Sequence, residues 1–533
     1  MNTPTYLLSY DVGTTGVKTC LFVVQETLVL VASSLCGYPL YISEGGGAEQ
    51  DPLDWLSAIE KSTKDVLAKS SVDPASIAGI SFCSQMQGLV LVDEQGTALR
   101  NAFSYLDQRA TKELKKGLAH GPQIAGANVL KLLHSLAITG AVAASVKDPV
   151  WKYHWVRNNE PKIFSRIYKW LDVKEYLIEQ MTDAFVMTED SAFATLLMDV
   201  KKRQWSPSVC KMLKVNLDHL PKIVRSTDQV GTVTEKAAKR LGLAAGTPVF
   251  GGGGDAAVIG LGAGSTKPGD CHIYMGTSGW VSTVVPKSMV DAASKTAAIV
   301  SAVPGMFTYF SELETAGKCL DWVRDHLALD EINIYLDKTM VTDSPEAIIK
   351  NLYDYLDTVI SSIAPGSNGV IFTPWLHGNR CPFEDSKARG MFFNIGLDTG
   401  KTEMIRAVTE GVCFHLRWFL EVQEKKIQTS STIRFVGGGA LSPVTCQILS
   451  DILGRRIETI ENPQNVGALG ASLVAALGLG FFRSADEAVE AIATNMTYEP
   501  NLEAKTIYDG NYAVFKALYK SNRKHFSKLN SKG

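Results

Sequence analysis

In YDVGTTGVK, Tyr10–Lys18, an acid, two glycines, two adjacent threonines and a lysine lie within nine residues. Backbone N–H groups of a tight turn, with two hydroxyls beside them, suit an anion such as phosphate. The turn is Gly13, Thr14, Thr15 and Gly16, and it does not match G-x-x-x-x-G-K-[ST], which opens a helix. A similar turn, Gly276, Thr277, Ser278 and Gly279, comes about half the chain later. In VFGGGGDAAVIGLGAG, Val249–Gly264, Asp255 follows four glycines. It reads equally as an exposed functional carboxylate or as a helix N-cap behind a flexible turn. The run Gly437, Gly438, Gly439, Ala440 could lie flat against a nucleobase or a phosphate. Gln85, Gln87, Asp107 and Arg109 offer the donors and acceptors that a polyhydroxy ligand needs. Standing alone, they would read as ordinary polar loop residues.

These groups need elements to hold them. Thr5–Tyr10 and Val17–Val24 are short apolar runs joined by the first turn, which is a hairpin signal, and Leu28–Ala32 gives a third strand. His272–Met275 and Trp280–Val285 repeat the pattern around the second turn. Two domains of similar topology, each pushing one hairpin into a shared cleft, would grip one polyphosphate from opposite sides. Further strands are predicted over Ile77–Phe82, Gly88–Val92 and Ile433–Val436, with another ending at Phe250. Helices are predicted over Asp51–Lys69, Ala141–Asn158, Lys169–Met181, Thr234–Leu241, Glu314–Leu327, Ala347–Ile363 and Met404–Lys425, and from near Pro443. Gly467, Ala468, Gly470, Ala471 and Ser472 give one more helix a very small face, for close packing or for a nucleotide beside it. Strands and helices mixed throughout predict an α/β protein.

At 533 residues the chain exceeds one ordinary core, so two large domains are expected. The boundary falls near Ala256–Gly264, dividing the chain into 1–258 and 259–533. With 45% hydrophobic and 20% charged residues and a net charge of −2, a soluble protein is expected. No basic face suits nucleic acid. Nine scattered cysteines without a C-x-x-C read as free thiols in a reducing cytoplasm. Met1–Thr5 lacks the basic and apolar regions of a secretory signal. Ile124–Val146 is broken by Lys131 and His134, and Val466–Phe482 is short for a span and dotted with glycine. Both read as buried helices, and no membrane is expected as a partner.

The motifs occur in one fixed order: D-x-G-T-T-x-x-K, a Q-M-x-G strand end, an x-x-D-x-R loop, G-G-G-D-A, G-T-S-G and G-G-G-A-x-S. Together, over roughly Leu7–Gly480, they resemble the FGGY family of carbohydrate kinases, and most closely its xylulokinase-like branch. The resemblance implies two ribonuclease-H-like domains, as in actin, hexokinase and the chaperone ATPases, with a nucleotide cleft between them. It implies ATP and Mg2+ as cofactors. Gly13, Thr14, Thr15 and Lys18, with Gly276, Thr277 and Ser278, would hold the ATP phosphates. Asp11 would organise the magnesium, and Gly438, Gly439 and Ala440 would face the adenosine. Asp255 would be the base that takes a sugar hydroxyl's proton. The resemblance places Met86, residue 87 and Asp255 at the sugar, and the polar strand-end residues Gln85, Gln87, Asp107 and Arg109 are expected to bind it with them. The implied reaction is phosphorylation of a ketopentose such as D-xylulose. Other ketoses, polyols and aldonates are the alternatives within the class. An ATP-gated actin-like protein and an inactive sugar-binding regulator are the alternatives outside it. Family members are often homodimers, although no stripe in this sequence marks an interface. Three features depart from the xylulokinase pattern: Gln87 stands for the usual histidine, Tyr105 for a tryptophan, and Ile124–Val150 is longer than usual.

Overall fold

The computed structural model describes residues 4–118, 123–124, 127–291, 293–327, 354 and 357–531. Two mixed sheets organise them. The first runs in the order Gln229–Thr232, Pro248–Phe250, Ile77–Ser84, Thr5–Val12, Gly16–Val24, Leu28–Gly37. Gly253–Gly254 also pairs with Ile77–Ser84. The second contains Phe307–Leu313, Gly279–Val285, Cys271–Met275, Thr432–Val436, Arg456–Ile460 and Thr494–Tyr498 in that order. Each sheet has three antiparallel strands followed by two parallel ones. The hairpin expected at each Gly-Thr turn is present, and the halves share a topology.

The central strands are apolar on both faces because both faces are covered. Leu7, Leu8, Ile80 and Phe82 have no exposed surface. One face of the first sheet receives Pro52–Ser70, capped by Asp51 Oδ1 accepting from Leu53 N at 2.9 Å. Trp55, Ile59, Thr63 and Val66 recur at helical spacing and are fully buried. The other face receives Val466–Gly478, a helix from the far end of the chain. That helix crosses Asp255–Gly262 at glycines. A Cβ on Gly470 would stand 2.4 Å from Val258 O, and one on Gly262 would stand 2.3 Å from Val466 O. The two backbones therefore touch, which only glycine permits. The expected division at 258 falls inside the continuous helix Asp255–Gly262.

Several expected elements differ. Ala141–Asn158 is not one helix: the helix is Pro149–Asn159, entered at Asp148. A proline suits a first helical turn and disfavours helix in the residue before it. Lys169–Leu171 is a strand paired with Val90–Val92, and helix begins only at Val173. Glu314–Leu327 shortens to Gly317–His326. Ala347–Ile363 lies mostly outside the described residues. Ile124–Val146 holds no buried span: its helix is Val129–Thr139, with Leu130, Leu133 and Leu136 exposed by 74%, 60% and 43%. Val466–Gly478 is buried as expected. Among the described residues no helix is long and apolar enough to cross a membrane. All nine cysteines are free.

Candidate active site

The registers bring the first-half motifs to one sheet edge. Val12 pairs with Ser84, and Ser84 pairs with Gly254, all in parallel. Three strands thus end side by side. From those ends emerge the turn Gly13–Gly16, the loop Gln85–Gly88 and Asp255. The second sheet does the same with Tyr274 opposite Val436, so Gly276–Gly279 and Gly437–Ala440 emerge together.

The first turn is closed by Gly13 N donating to Gly16 O at 2.9 Å. Tyr38 OH donates to Gly13 O, and Gln50 Nε2 donates to Thr14 O at 2.7 Å. Thr14 Oγ1 lies 3.4 Å from Tyr105 OH, one of the departures noted above. Lys18 Nζ donates to Gln464 O at 2.6 Å, reaching the loop before Val466–Gly478. Asp11 stands opposite Lys18 in the hairpin. Its carboxylate packs against Gly467, where a Cβ would fall 2.6 Å from Oδ2. Burial pushes the Asp11 carboxyl above its usual range, opposed by Lys18 and by a hydrogen bond from Cys83.

The second turn is braced by backbone. Gly317 N donates to Gly276 O at 2.9 Å, and Lys318 N donates to Thr277 O at 3.1 Å. Tyr274 and Trp280 stack at 4.0 Å beneath it. In the adjacent loop Gly437 has φ +91°, a left-handed value, and a Cβ on Gly439 would strike Met275 Cε at 2.1 Å. These glycines serve close packing as well as any ligand. Ala440 is nearly buried.

Asp255 opens its helix, with Ala256 N donating to Oδ1 at 2.7 Å. Among the described residues no donor reaches its other oxygen. Burial pushes its carboxyl up to about 7; the Ala256 hydrogen bond opposes this, and Glu312, Asp11 and Asp172 add to it. Met86 lies along Gly254, where a Cβ would meet its Cγ at 2.1 Å. Gln85 Nε2 donates to Gln50 Oε1 at 2.8 Å. Gln87 has φ +63°. A non-glycine residue there costs on the order of 1 kcal/mol, so something must hold it.

Asp107 and Arg109 take a different place from the one expected. Asp107 is fully buried and accepts from Ala48 N at 2.8 Å and from Arg109 N at 3.1 Å. Arg109 also pairs with Glu49 and lies over Trp155 at 4.6 Å. The Asp107 carboxylate is engaged by Ala48 and Arg109, and Arg109 Nε and Nη2 are engaged by Asp107 and Glu49.

Sequence reasoning missed the buried charges behind the pocket. Asp172 accepts from Gln87 N at 3.0 Å and Gly88 N at 2.9 Å. Lys152 Nζ donates to Gln87 O at 3.1 Å and Ser104 O at 2.8 Å. Burial lowers the Lys152 ammonium to about 8, against Asp107, Asp148 and Asp172. Asp190 Oδ2 accepts from Gly254 N at 2.6 Å, beside Lys174. A lysine inside the apolar run PVWKYHWV was the available signal for Lys152.

The N-terminal domain model of the FGGY family of carbohydrate kinases matches residues 6–262, and the C-terminal domain model matches 271–479. This chain belongs to the FGGY family of carbohydrate kinases. FGGY relatives include a xylulose kinase of Lactococcus lactis, 30% identical over 97% of each chain. They also include a gluconokinase of Bacillus subtilis, 28% identical over 93% of this chain and 92% of the other. The crystal structure of ligand-bound xylulose kinase from Lactobacillus acidophilus superposes with a TM-score of 0.82, at 25% identity over 98% of this chain and 100% of that one. The FGGY chain described here is therefore an ATP-dependent sugar kinase of two-domain α/β fold.

Proposed function

We propose that this kinase phosphorylates a neutral ketopentose such as D-xylulose, with Asp255 as general base. The observation that carries this reading is the set of acids near Asp255, Glu312, Asp11 and Asp172, whose neighbouring cations Arg380, Lys18 and Lys174 already face them. An aldonate would add a carboxylate to that group. The nearby cations Arg380 and Lys147 are already paired, with Glu312 at 3.3 Å and Glu314 at 3.2 Å. A second reading, an aldonate substrate, draws on the gluconokinase relative.

Phosphoryl transfer asks for positioning and charge neutralisation rather than covalent help. The amides of Gly13–Thr15 and Gly276–Ser278, with Thr14, Thr277 and Lys18, would hold phosphate from two sides. Gly438, Gly439 and Ala440 would face the adenosine. Asp11 fits Mg2+: it is a half-buried carboxylate at the end of the strand that leads into the first turn, beside Lys18 and Gly467. That pattern suits an ion that keeps water and substrate phosphates as its ligands. Bound there, Mg2+ would neutralise charge on the phosphates. Asp255 accepts the hydroxyl proton, which requires it to be deprotonated. Closure of the two halves excludes water as a competing acceptor.

The test is ADP release with D-xylulose, other pentuloses, gluconate and a polyol. D-Xylulose is expected to give the highest kcat/KM. A higher value with gluconate sinks the neutral-sugar reading, and steady ADP release without any sugar would favour an ATP-gated protein instead.

A further inference from the structure

Residue 87 is gripped through its backbone from both sides. Asp172 Oδ2 accepts its N–H and Oδ1 accepts the next N–H, while Lys152 Nζ donates to its C=O. Between those contacts φ is +63°, which glutamine seldom adopts unless its surroundings impose it. Gly88 is required for the grip: a Cβ there would stand 2.7 Å from Asp172 Oδ1. Lys152 has no exposed surface, and its stem lies in a helix whose Val150, Trp151, Tyr153 and Val156 are also buried. The same Nζ donates to Ser104 O, one residue before Tyr105. Tyr105 in turn meets Thr14 in the first turn. One ammonium group therefore ties the loop carrying Gln87 to the loop carrying Tyr105. These are the two positions at which the chain departs from the xylulokinase pattern.

We propose that Lys152, with Asp172, is a positioning residue for sugar selection: it fixes the left-handed backbone of residue 87 and so sets where the Gln87 amide points. This rests on the reading that residue 87 faces the sugar. Lys152 touches neither substrate in this account. It acts by making one rotation of the Gln87 peptide much more favourable than the others. A buried carbonyl that loses its donor reorients toward another partner or toward water, and the side chain on that peptide moves with it.

The experiment uses the full-length enzyme and measures KM for sugar, KM for ATP, and the ratio of kcat/KM between D-xylulose and D-ribulose. Lys152→Met keeps the length of the buried stem and removes the donor. It is expected to raise the sugar KM about tenfold and shift the sugar ratio about fivefold, leaving the ATP KM within about twofold. Gln87→Gly accepts the left-handed backbone unaided and has no amide to aim. In that background Lys152→Met is expected to change the ratio less than about twofold. Equal losses for both sugars and for ATP, or effects of the two substitutions that simply add, would overturn the proposal. If Gln87→Gly alone leaves the sugar ratio unchanged, the reading of residue 87 fails, and it fails without Lys152 having been touched. Near-UV circular dichroism checks folding. Should Lys152→Met not fold, Asp172→Asn tests the same grip from the other side, with the same expected shift in the ratio. Loss of fold in both overturns the proposal and leaves a purely structural role.

Discussion

The two Gly-Thr turns sit at matching places in matching sheets, yet they are supported differently. The first is held mostly by side chains, Tyr38 on Gly13, Gln50 on Thr14 and Tyr105 against the Thr14 hydroxyl, with one backbone bond from Tyr38 N to Thr15 O at 3.0 Å. Gln50 and Tyr105 lead toward the proposed sugar pocket. The second is held by backbone, through the amides of Gly317 and Lys318. Given the proposed sugar pocket, the first turn is linked to it through Gln50 and Tyr105, whereas the second rests on the placement of its helix. Shared topology gave each half a Gly-Thr turn, and different neighbours gave the two turns different supports.

The largest effect falls outside both turns. Asp255→Asn should lower kcat roughly 10²–10⁴-fold, the usual range for a general base. ADP binding by titration calorimetry should hardly change, because both turns survive. Turnover within tenfold of the parent would remove Asp255 as the base. In the parent, kcat/KM should climb with pH below about 7 and level off above it, as the carboxyl loses its proton.

Next comes a direct contrast between the turns. An added Cβ on Gly317 would stand 2.2 Å from Gly276 O, so Gly317→Ala must displace the second turn. The ATP KM should rise about tenfold while the sugar KM stays within about twofold. Gly13→Ala meets only Gly16 O, at 3.4 Å, and keeps the shape of the first turn. Any loss there reports contact with phosphate itself. Equal and general losses in both variants would break the contrast.

A smaller effect separates the threonines. Thr14→Val and Thr277→Val should each raise the ATP KM by roughly threefold to tenfold, as expected for a lost hydrogen bond. Only Thr14→Val should also move the sugar KM, by about twofold to threefold, through Tyr105. Identical sugar KM values in both variants would mean that the first turn is deaf to the acceptor.

The smallest effect is on stability. The folded Asp255 carboxyl is pushed from 3.8 up to about 7, mainly by burial. A raised pKa means that its contribution to folding is full below about pH 4 and is lost as pH rises through about 7. Asp255→Asn should therefore raise Tm at pH 8, by about 1–3 °C, and not at pH 4. No gain at pH 8 would show that the carboxylate is better solvated than its position implies.

The turns were legible because glycine and threonine in a strand-turn-strand context have few other uses. The matching sheets followed from the repeat, and the glycine run marked Asp255 as the start of a helix, while its assignment as the base came from the family resemblance alone. What stayed hidden was burial. Asp107 and Arg109 read as polar loop residues free for a ligand, but the fold folds them onto each other and onto Ala48 and Glu49. Asp172, Lys174 and Asp190 gave no pattern, because their partners lie on distant stretches of chain, and Lys152 left only the sign of a lysine inside an apolar run. Helix starts failed at Pro149 and at Val173, where a tight turn and a short edge pairing overrode local periodicity.

Asp255–Gly262 and Val466–Gly478 meet through bare backbone at Gly262 and Gly470. Around that point Val258, Leu261, Val466 and Leu469 pack in one buried cluster, so the crossing is closest at its centre and keyed by side chains beside it. One helix carries Asp255, the proposed base, at its first residue, and the other begins beside the carbonyl that receives Lys18. Points near a fulcrum travel least when the halves swing. The first turn shares its sheet edge with Asp255, so closing the halves would carry the second turn and its phosphate toward a carboxylate and a first turn that move little relative to each other.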